Sequence, residues 1–340
     1  MGRRSTRVGV VGAGWVATAR HIPSYRGVDD VEVVALYDRA RDRAERVARE
    51  HRIPAAFSEL DAFLDAELDV VSICTPPWTH AELASQALDA GAHVLTEKPM
   101  AMDTQEAKSM VAAAQRAGRS LCVSHNFLFS RSVRRADRLV PALGPIGYVL
   151  GLQMSNPQRR LPNWYRQLPG GLLFDEAPHM LYTLQHFLGS VAVEDVRARP
   201  SDGAASPSIV EVRFRGAQGI GQVTMLFEAP LSEWHIGLVG QQGVADLDLF
   251  RDIVVSVADD HRHKPLDILR TSAAAMWGHA RGFATSGVRY ASRRQFWGHD
   301  ELIRRFVATT RTGSPPPVDP KDSVGVVSMM DEILTAPGVR

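Results

Sequence analysis

Three groups of residues in this chain have types and spacings suited to chemistry. The first is the run Val8-Gly9-Val10-Val11-Gly12-Ala13-Gly14-Trp15-Val16-Ala17, an apolar strand that enters a G-x-G-x-x-A turn. Such a turn suits a dinucleotide. Gly12 permits the tight bend, Gly14 lets the backbone approach a pyrophosphate, and Ala17 is small enough for the next helix to pack on the strand. That helix aims free N–H groups and its positive dipole end at the phosphates, with Trp15 and Val16 in the turn beside them. Alone the turn is weak evidence, since glycine turns between strand and helix are common. Asp38 adds weight: it ends a second apolar run 21 residues after Ala17, where an acid would hold the adenosine ribose. Asp38 would repel a 2′-phosphate and so favours NAD, while Arg39 keeps NADP open, either by lying over the adenine or by pairing at the surface. The second group is Glu97-Lys98-Pro99, at the end of the apolar run 91–96. A lysine fixed there by a proline is placed for chemistry; the plainer alternative is a surface lysine paired with Glu97. The third is Asp175 and His179, spaced i and i+4 on one helix face. Histidine titrates near neutral pH and can take a proton from an alcohol and return it. The alternative is a capping aspartate with a semi-buried histidine. Pro178 predicts that the pair lies in or near a helix's first turn.

The elements that must position these residues are legible as alternation. Strands over 31–38, 68–74, 91–96 and 121–126 alternate with helices over 39–48, 81–90 and 104–117, which predicts a doubly wound parallel sheet. Ligands of such sheets lie beyond the carboxyl ends of the strands. That places Thr75, Pro76 and His80 of the loop 75–80, with Glu97, Lys98 and Asn126, on the cofactor side. Thr79 is the expected cap of the helix that follows. From residue 147 to 257 the period changes to two: Val210, Val212 and Phe214 alternate with Glu211, Arg213 and Arg215, which predicts a half-covered antiparallel sheet. Between Asn126 and Gly170, Trp164 and Tyr165 either wall a sugar pocket with their ring faces or anchor a loop. The segment 268–294 carries Arg270, Arg281, Arg289, Arg293 and Arg294, and no acid stands between Asp267 and Asp300. It reads as one or two amphipathic helices forming a flap or subunit contact, ahead of a cationic clamp on a phosphorylated sugar or a membrane surface.

The chain has 340 residues, 45% apolar and 23% charged, which is ordinary globular composition with room for about two domains. A net charge of +1 points to neither a nucleic-acid partner nor a membrane surface. No apolar run approaches the roughly 18 residues of a membrane span. Cys74 and Cys122 each sit in a strand-like run and read as core thiols of a reducing, cytoplasmic compartment. Arg3 and Arg4 before an apolar run, and Met1-Gly2 with Thr6, match secretion and myristoylation patterns by chance; cleavage would remove the glycine turn. His261 and His263 have metal-like spacing but no partner at ligand spacing, so no metal is expected.

Taken together, the G-x-G-x-x-A turn, the acid ending the second strand, T-P-P-x-x-H at 75–80, E-K-P at 97–99 and a following strand ending in Asn126 resemble the Gfo/Idh/MocA oxidoreductases, the family of glucose–fructose oxidoreductase and inositol 2-dehydrogenase. Many members have Asn where this chain has Pro77 or Trp78. The resemblance implies an α/β Rossmann dinucleotide-binding domain over 1–125, completed by a C-terminal helix at about 319–336. It also implies an α+β domain over 126–318 with a large, mostly antiparallel open sheet, whose open face makes a homo-oligomer, dimer or tetramer. It implies NAD or NADP in the crevice and Lys98 near the nicotinamide and the reacting hydroxyl. After the Gly170-Gly171 step it implies His179 as acid/base and Asp175 near the substrate, with Trp164 in the pocket wall. The expected activity is hydride transfer between nicotinamide and a secondary alcohol or ketone of a sugar, cyclitol or nucleotide-linked sugar. Expected substrate contacts are Lys98, Asn126, Trp164, Tyr165, Asp175 and His179. Two other readings stand beside it: an oxidoreductase with a resident, non-dissociating cofactor, and a nicotinamide-binding sensor without turnover.

Overall fold

A computed structural model describes residues 4–292, 295 and 297–339; the terminal patterns at Met1, Gly2 and Arg3, and the arginines at 293 and 294, lie outside the described residues. Contacts divide the chain into two compact units, Met1–Asn126 with His299–Ser328, and Phe127–Gly298 with Met329–Arg340.

The first unit is built on six parallel strands: β1 (Thr6–Val11), β2 (Val31–Tyr37), β3 (Ala55–Phe57), β4 (Val70–Ile73), β5 (His93–Thr96) and β6 (Leu121–Val123). Their order is β3-β2-β1-β4-β5-β6, the doubly wound arrangement. Helices cover both faces, so the strands are nearly unbroken apolar runs; Val8, Val10, Val70, Val71, Ile73, Val94 and Leu95 have no exposed surface. The connecting helices are α1 (Ile22–Arg26), which continues a π-helical turn at Ala17–His21, then α2 (Arg41–Glu50), α3 (Leu60–Leu64), α4 (His80–Asp89) and α5 (Thr104–Ala117). α5 starts on an Asp103 side chain that accepts the Glu106 N–H and stops at Gly118, whose φ is +61°. Thr79 precedes α4 without capping it. Its hydroxyl donates back into the loop, to Thr75 Oγ1 at 2.7 Å or the Pro76 carbonyl at 2.8 Å.

The second unit contains α6 (Arg131–Leu143), β7 (Ile146–Met154), α7 (Leu172–Leu188), β8 (Val191–Arg199), β9 (Ile209–Gly216), β10 (Ile220–Leu226), β11 (Glu233–Gly240), β12 (Gly243–Asp248), β13 (Ile253–Ala258) and α8 (Pro265–Ala291). Its seven-stranded sheet runs β13-β12-β11-β7-β10-β9-β8 and is antiparallel except where β7 pairs with β10. Alternation sets its faces: Val210, Val212 and Phe214 are buried, and Glu211, Arg213 and Arg215 are exposed. α7 lies close on the covered face because Gly221 has no side chain; a Cβ there would stand 2.7 Å from Leu184 Cδ1.

The chain then returns to the first unit through α9 (His299–Thr312) and the start of α10 (Pro320–Thr335). The return begins at His299, ahead of the 319 read from the sequence. Arg311 of α9 donates to Thr6 Oγ1 and to the Asp29 carbonyl, both at 3.0 Å, and Val327 of α10 enters the core beside Ile73 and Val94. The segment 268–291 lies in a single helix, α8. α7 begins at Leu172, so Asp175 lies in its first turn and the pair sits near the helix start, as Pro178 predicts, with the proline itself in the second turn. It leaves the Phe174 carbonyl without its helical donor, and the helix holds because nearly all of its residues are buried.

Candidate active site

In the first unit the glycine turn meets the demands of its motif. Gly12 has φ +92°, and a Cβ on it would stand 3.0 Å from the Cys74 carbonyl oxygen, so only glycine fits. A Cβ on Gly14 would meet nothing within 4 Å, which leaves room over the helix start for a pyrophosphate. Trp15 is half exposed beside it, with the Arg20 guanidinium 4.8 Å from its ring centroid. Val16 and Ala17 carry the chain into the π-helical turn.

Asp38 is buried just past the end of β2 and already fully engaged. Its Oδ2 accepts the Ala13 N–H at 2.9 Å and Arg43 Nε at 2.8 Å; its Oδ1 accepts the Ala40 N–H at 2.9 Å and Arg43 Nη2 at 2.6 Å. That fills the roughly four acceptor positions of a carboxylate. Burial alone would raise its pKa, but the hydrogen bonds from Arg43, Ala13 and Ala40 outweigh it and hold the group below the usual carboxylate value. A ribose hydroxyl would therefore replace Arg43 rather than find Asp38 waiting. Arg39 is exposed beside it; the residue that grips the acid is Arg43, in the first turn of α2, which sequence reading passed over.

The loop after β4 is pinned by His80. Its ring is buried, with Nδ1 2.8 Å from the Pro99 carbonyl and Nε2 2.9 Å from the Thr75 carbonyl. Burial lowers its pKa against those two bonds. His80 thus braces the Thr75-Pro76 turn against Lys98-Pro99, a cis peptide. Glu97 is buried too. Its Oε1 lies 2.8 Å from His21 Nε2 and 3.6 Å from His299 Nε2, and its Oε2 accepts the Lys98 N–H at 3.2 Å. Burial would raise its pKa; the bonds to His21 and His299 bring it well below the ordinary value. His21 Nδ1 meets Ser72 Oγ at 2.8 Å. An imidazole Nε2–H donating to Glu97 leaves Nδ1 to accept the Ser72 hydroxyl proton. No metal was expected from the sequence, yet His21, Glu97 and His299 place one donor atom each within 4.8 Å of one another. Lys98 itself is half-buried past the end of β5, and Asn126 is buried past the end of β6.

In the second unit, Gly170 and Gly171 both have positive φ, and the Leu172 N–H that opens α7 donates to Ser206 Oγ at 2.7 Å. A Cβ on Gly171 would stand 2.7 Å from the Ala205 carbonyl oxygen. This fixes the start of α7 and so the positions of Asp175, half-buried in its first turn, and His179, buried one turn on. His179 sits among aromatic rings: Phe127 at 5.0 Å, Trp234 at 5.2 Å and Tyr182 at 5.6 Å between centroids. Its Nδ1 is 2.8 Å from Tyr182 Oη, which also accepts the Phe127 N–H at 3.2 Å. The N-cap position of α7 is Gly171. Next to it, Glu176 is buried and accepts Gln153 Nε2 at 2.9 Å and Ser155 Oγ at 2.6 Å, with the Arg159 guanidinium against its carboxylate. Trp164 and Tyr165 lie half-buried in the 3-10 turn Asn163–Gln167, where Arg166 Nε donates to Tyr165 Oη at 3.3 Å. Tyr182, Trp234 and Glu176 were missed in the sequence, where nothing but their apolar or helical neighbours marks them. His261 and His263 pair with Asp259 and Asp260 in an exposed loop.

The two units thus hold different parts of the expected set: Gly12, Gly14, Asp38, Thr75, Pro76, His80, Glu97, Lys98 and Asn126 in the first, and Trp164, Tyr165, Asp175 and His179 in the second. Residues 6–125 match the family model GFO_IDH_MocA, described as "Oxidoreductase family, NAD-binding Rossmann fold". D-glucoside 3-dehydrogenase of Escherichia coli (strain K12) is 32% identical over 200 residues, covering 56% of each chain, so this chain spans about half the length of that relative. An uncharacterized oxidoreductase of Rhizobium meliloti, ORF334, is 27% identical over 341 residues, covering 96% of this chain and 95% of its own. A solved levoglucosan dehydrogenase in complex with NADH shares the fold, with a TM-score of 0.79 over 98% of this chain and 97% of that one at 18% identity.

Proposed function

We propose that this protein, whose residues 6–125 match the family model described as "Oxidoreductase family, NAD-binding Rossmann fold", is a Gfo/Idh/MocA dehydrogenase or ketoreductase acting on a secondary alcohol or ketone of a sugar, cyclitol or nucleotide-linked sugar. The observation that carries the reading is the carboxyl edge of the parallel sheet. A glycine turn with open room at Gly14 follows β1, and Lys98 follows β5, two strands away. The residues fit a dinucleotide, with Gly12, Gly14, Trp15 and Val16 at its pyrophosphate and Asp38 at its ribose. When bound, it would supply the hydride acceptor or donor. Lys98 hydrogen-bonds the reacting oxygen and stabilises its alkoxide character. His179 takes the hydroxyl proton, and Tyr182, accepting Nδ1–H, leaves Nε2 as the base. Asp175 orients His179 or a neighbouring hydroxyl, and Asn126, Trp164 and Tyr165 contact the sugar.

The relative's action on D-glucosides supports starting with pyranosides. NAD is the preferred cofactor, because an Asp38 carboxylate disfavours a 2′-phosphate. Buried Cys74 and Cys122 suit a reducing, cytoplasmic compartment. Exposed Leu150, Ile220, Val239 and Val244 favour a homo-oligomer through the sheet. Fluorescence titration of NADH and NADPH into wild type and Asp38→Ala, followed by a turnover screen with glucosides and nucleotide sugars, tests the reading. NADH binding more tightly than NADPH to wild type, with the gap closing in the variant, is expected. Binding of neither would end the proposal.

A further inference from the structure

Helix α8 carries its small residues inward and its large apolar residues outward. Gly278 lies against Val255 and Gly282 against Ile253, where a Cβ on Gly282 would stand 2.4 Å from Ile253 Cγ2. Ser286 on the same side bonds the Asp252 carbonyl at 3.3 Å. Glycine and serine therefore let the helix lie on β13. The opposite side carries Leu266, Leu269, Met276, Trp277 and Phe283, with Trp277 72% and Phe283 73% exposed. At helical period these residues occupy one sector of about 120°, centred nearly opposite Gly282. Single exposed apolar side chains are ordinary, but a continuous stripe is an interaction surface.

Charge lies alongside the stripe. Arg270 and Arg281 flank it, and Asp267 in the first turn is the only acid in α8. Arg281 also lines a cavity of about 490 Å³ together with Arg131, Arg134, Arg135 and Arg138 of α6. Five guanidinium groups there face one carboxylate, Asp252, whose Oδ1 is occupied by the Ser132 N–H at 2.7 Å. Burial first, then the neighbouring Arg281, Arg138 and Arg131, lower the pKa of Arg135, as expected where like charges are crowded.

We propose that this strip, the outer face of α8 with the arginine cavity beside it, docks the protein onto an anionic lipid surface. The apolar side chains enter the boundary between headgroups and acyl chains, and the arginines take lipid phosphates. A soluble anion would use the arginines and leave the stripe bare. A second copy placed two-fold on α8 would bring two arginine rows together with no acids between them. The docking is peripheral, since among the described residues no helix is long and apolar enough to cross a membrane.

The test is sedimentation of the full chain with vesicles of equal parts phosphatidylcholine and phosphatidylglycerol, against vesicles of phosphatidylcholine alone. Wild type should pellet with the anionic vesicles and bind neutral ones more weakly, by about tenfold or more. Arg135→Gln with Arg281→Gln should lose about tenfold on the anionic vesicles. Trp277→Ser with Phe283→Ser should abolish binding while the far-ultraviolet spectrum and NADH binding stay unchanged. Failure of wild type to pellet with anionic vesicles overturns the proposal, as does undiminished binding by the Trp277/Phe283 variant. Two further results overturn it. Stabilisation by inorganic pyrophosphate without vesicle binding assigns the arginines to a soluble anion. A change of oligomeric mass in the Trp277/Phe283 variant, again without vesicle binding, assigns the stripe to a second copy. None of these outcomes depends on hydride transfer.

Discussion

Each unit buries a carboxylate directly beside a residue proposed for chemistry, and the two are held differently. Glu97, next to Lys98, is held by the imidazoles of His21 and His299. Glu176, next to Asp175, is held by Arg159, Gln153 and Ser155. Burial holds the His21 pKa below its ordinary value, so at Glu97 the carboxylate meets an imidazole that resists protonation, whereas at Glu176 it meets a guanidinium, a permanent cation. The two units should answer to pH in opposite senses, the first losing stability toward acid and the second as pH rises through the folded value of His235.

The largest effect expected is on chemistry at Lys98. Lys98→Ala should lower kcat about a thousandfold while changing NADH affinity by only a few-fold. Steady-state rates with a titrated Kd check it, and a loss of affinity matching the loss of kcat would reassign Lys98 to cofactor binding. Next comes Glu176→Ala, which strips the counter-charge from half-buried Arg159 and should cost the second unit about 3 kcal/mol in denaturant unfolding. A cost below about 1 kcal/mol would make the Glu176 cluster a surface pair in all but burial. Glu97→Gln keeps the shape and removes the charge; it should lower kcat by about tenfold to a hundredfold through misplacement of Lys98. It should also shift the pH profile, which a purely structural role would not do.

The smallest effect separates the units by acid. Burial lowers the pKa of His125 to about 3, from an ordinary value of 6.5. Below pH 6.5 the unfolded chain takes a proton that the folded one refuses. Stability is therefore whole above that pH and falls toward pH 3, by about 1.4 kcal/mol per pH unit. His21 and His80 are lowered in the same direction by burial. In the second unit the Asp246 bond raises the pKa of His235, so that its contribution is present below pH 6.5 and lost as pH rises through the folded value. Hydrogen exchange at about pH 7 and about pH 5.5, corrected for its intrinsic pH dependence, should show the first unit loosening first. Equal loosening would erase the contrast.

What the sequence made legible was local. The G-x-G turn, the unbroken apolar runs of a parallel sheet and the period-two strands of the second sheet each follow from neighbours in the chain. So does the placement of Lys98 past a strand end. The residues that complete the clusters were not legible, because their partners are set by the fold. His21 and His299 meet Glu97 from distant segments, and Arg43 reaches Asp38 only because α2 begins where it does. α8 is the clearest case. Its spacing said which residues share a face, but not that Gly278, Gly282 and Ser286 would be the packed ones. Pro178 marked the start of α7 correctly, and it is tolerated one turn in because tertiary packing surrounds the helix.

The measurement closest to the central claim is the pH dependence of nicotinamide reduction by wild type and His179→Asn, followed by absorbance in single turnovers with the best glucoside of the screen. The account predicts a wild-type rate that rises with one deprotonation to a plateau. It predicts a variant about a hundredfold to ten-thousandfold slower that has lost that rise. A variant within a few-fold of wild type, with the same rise, would contradict it.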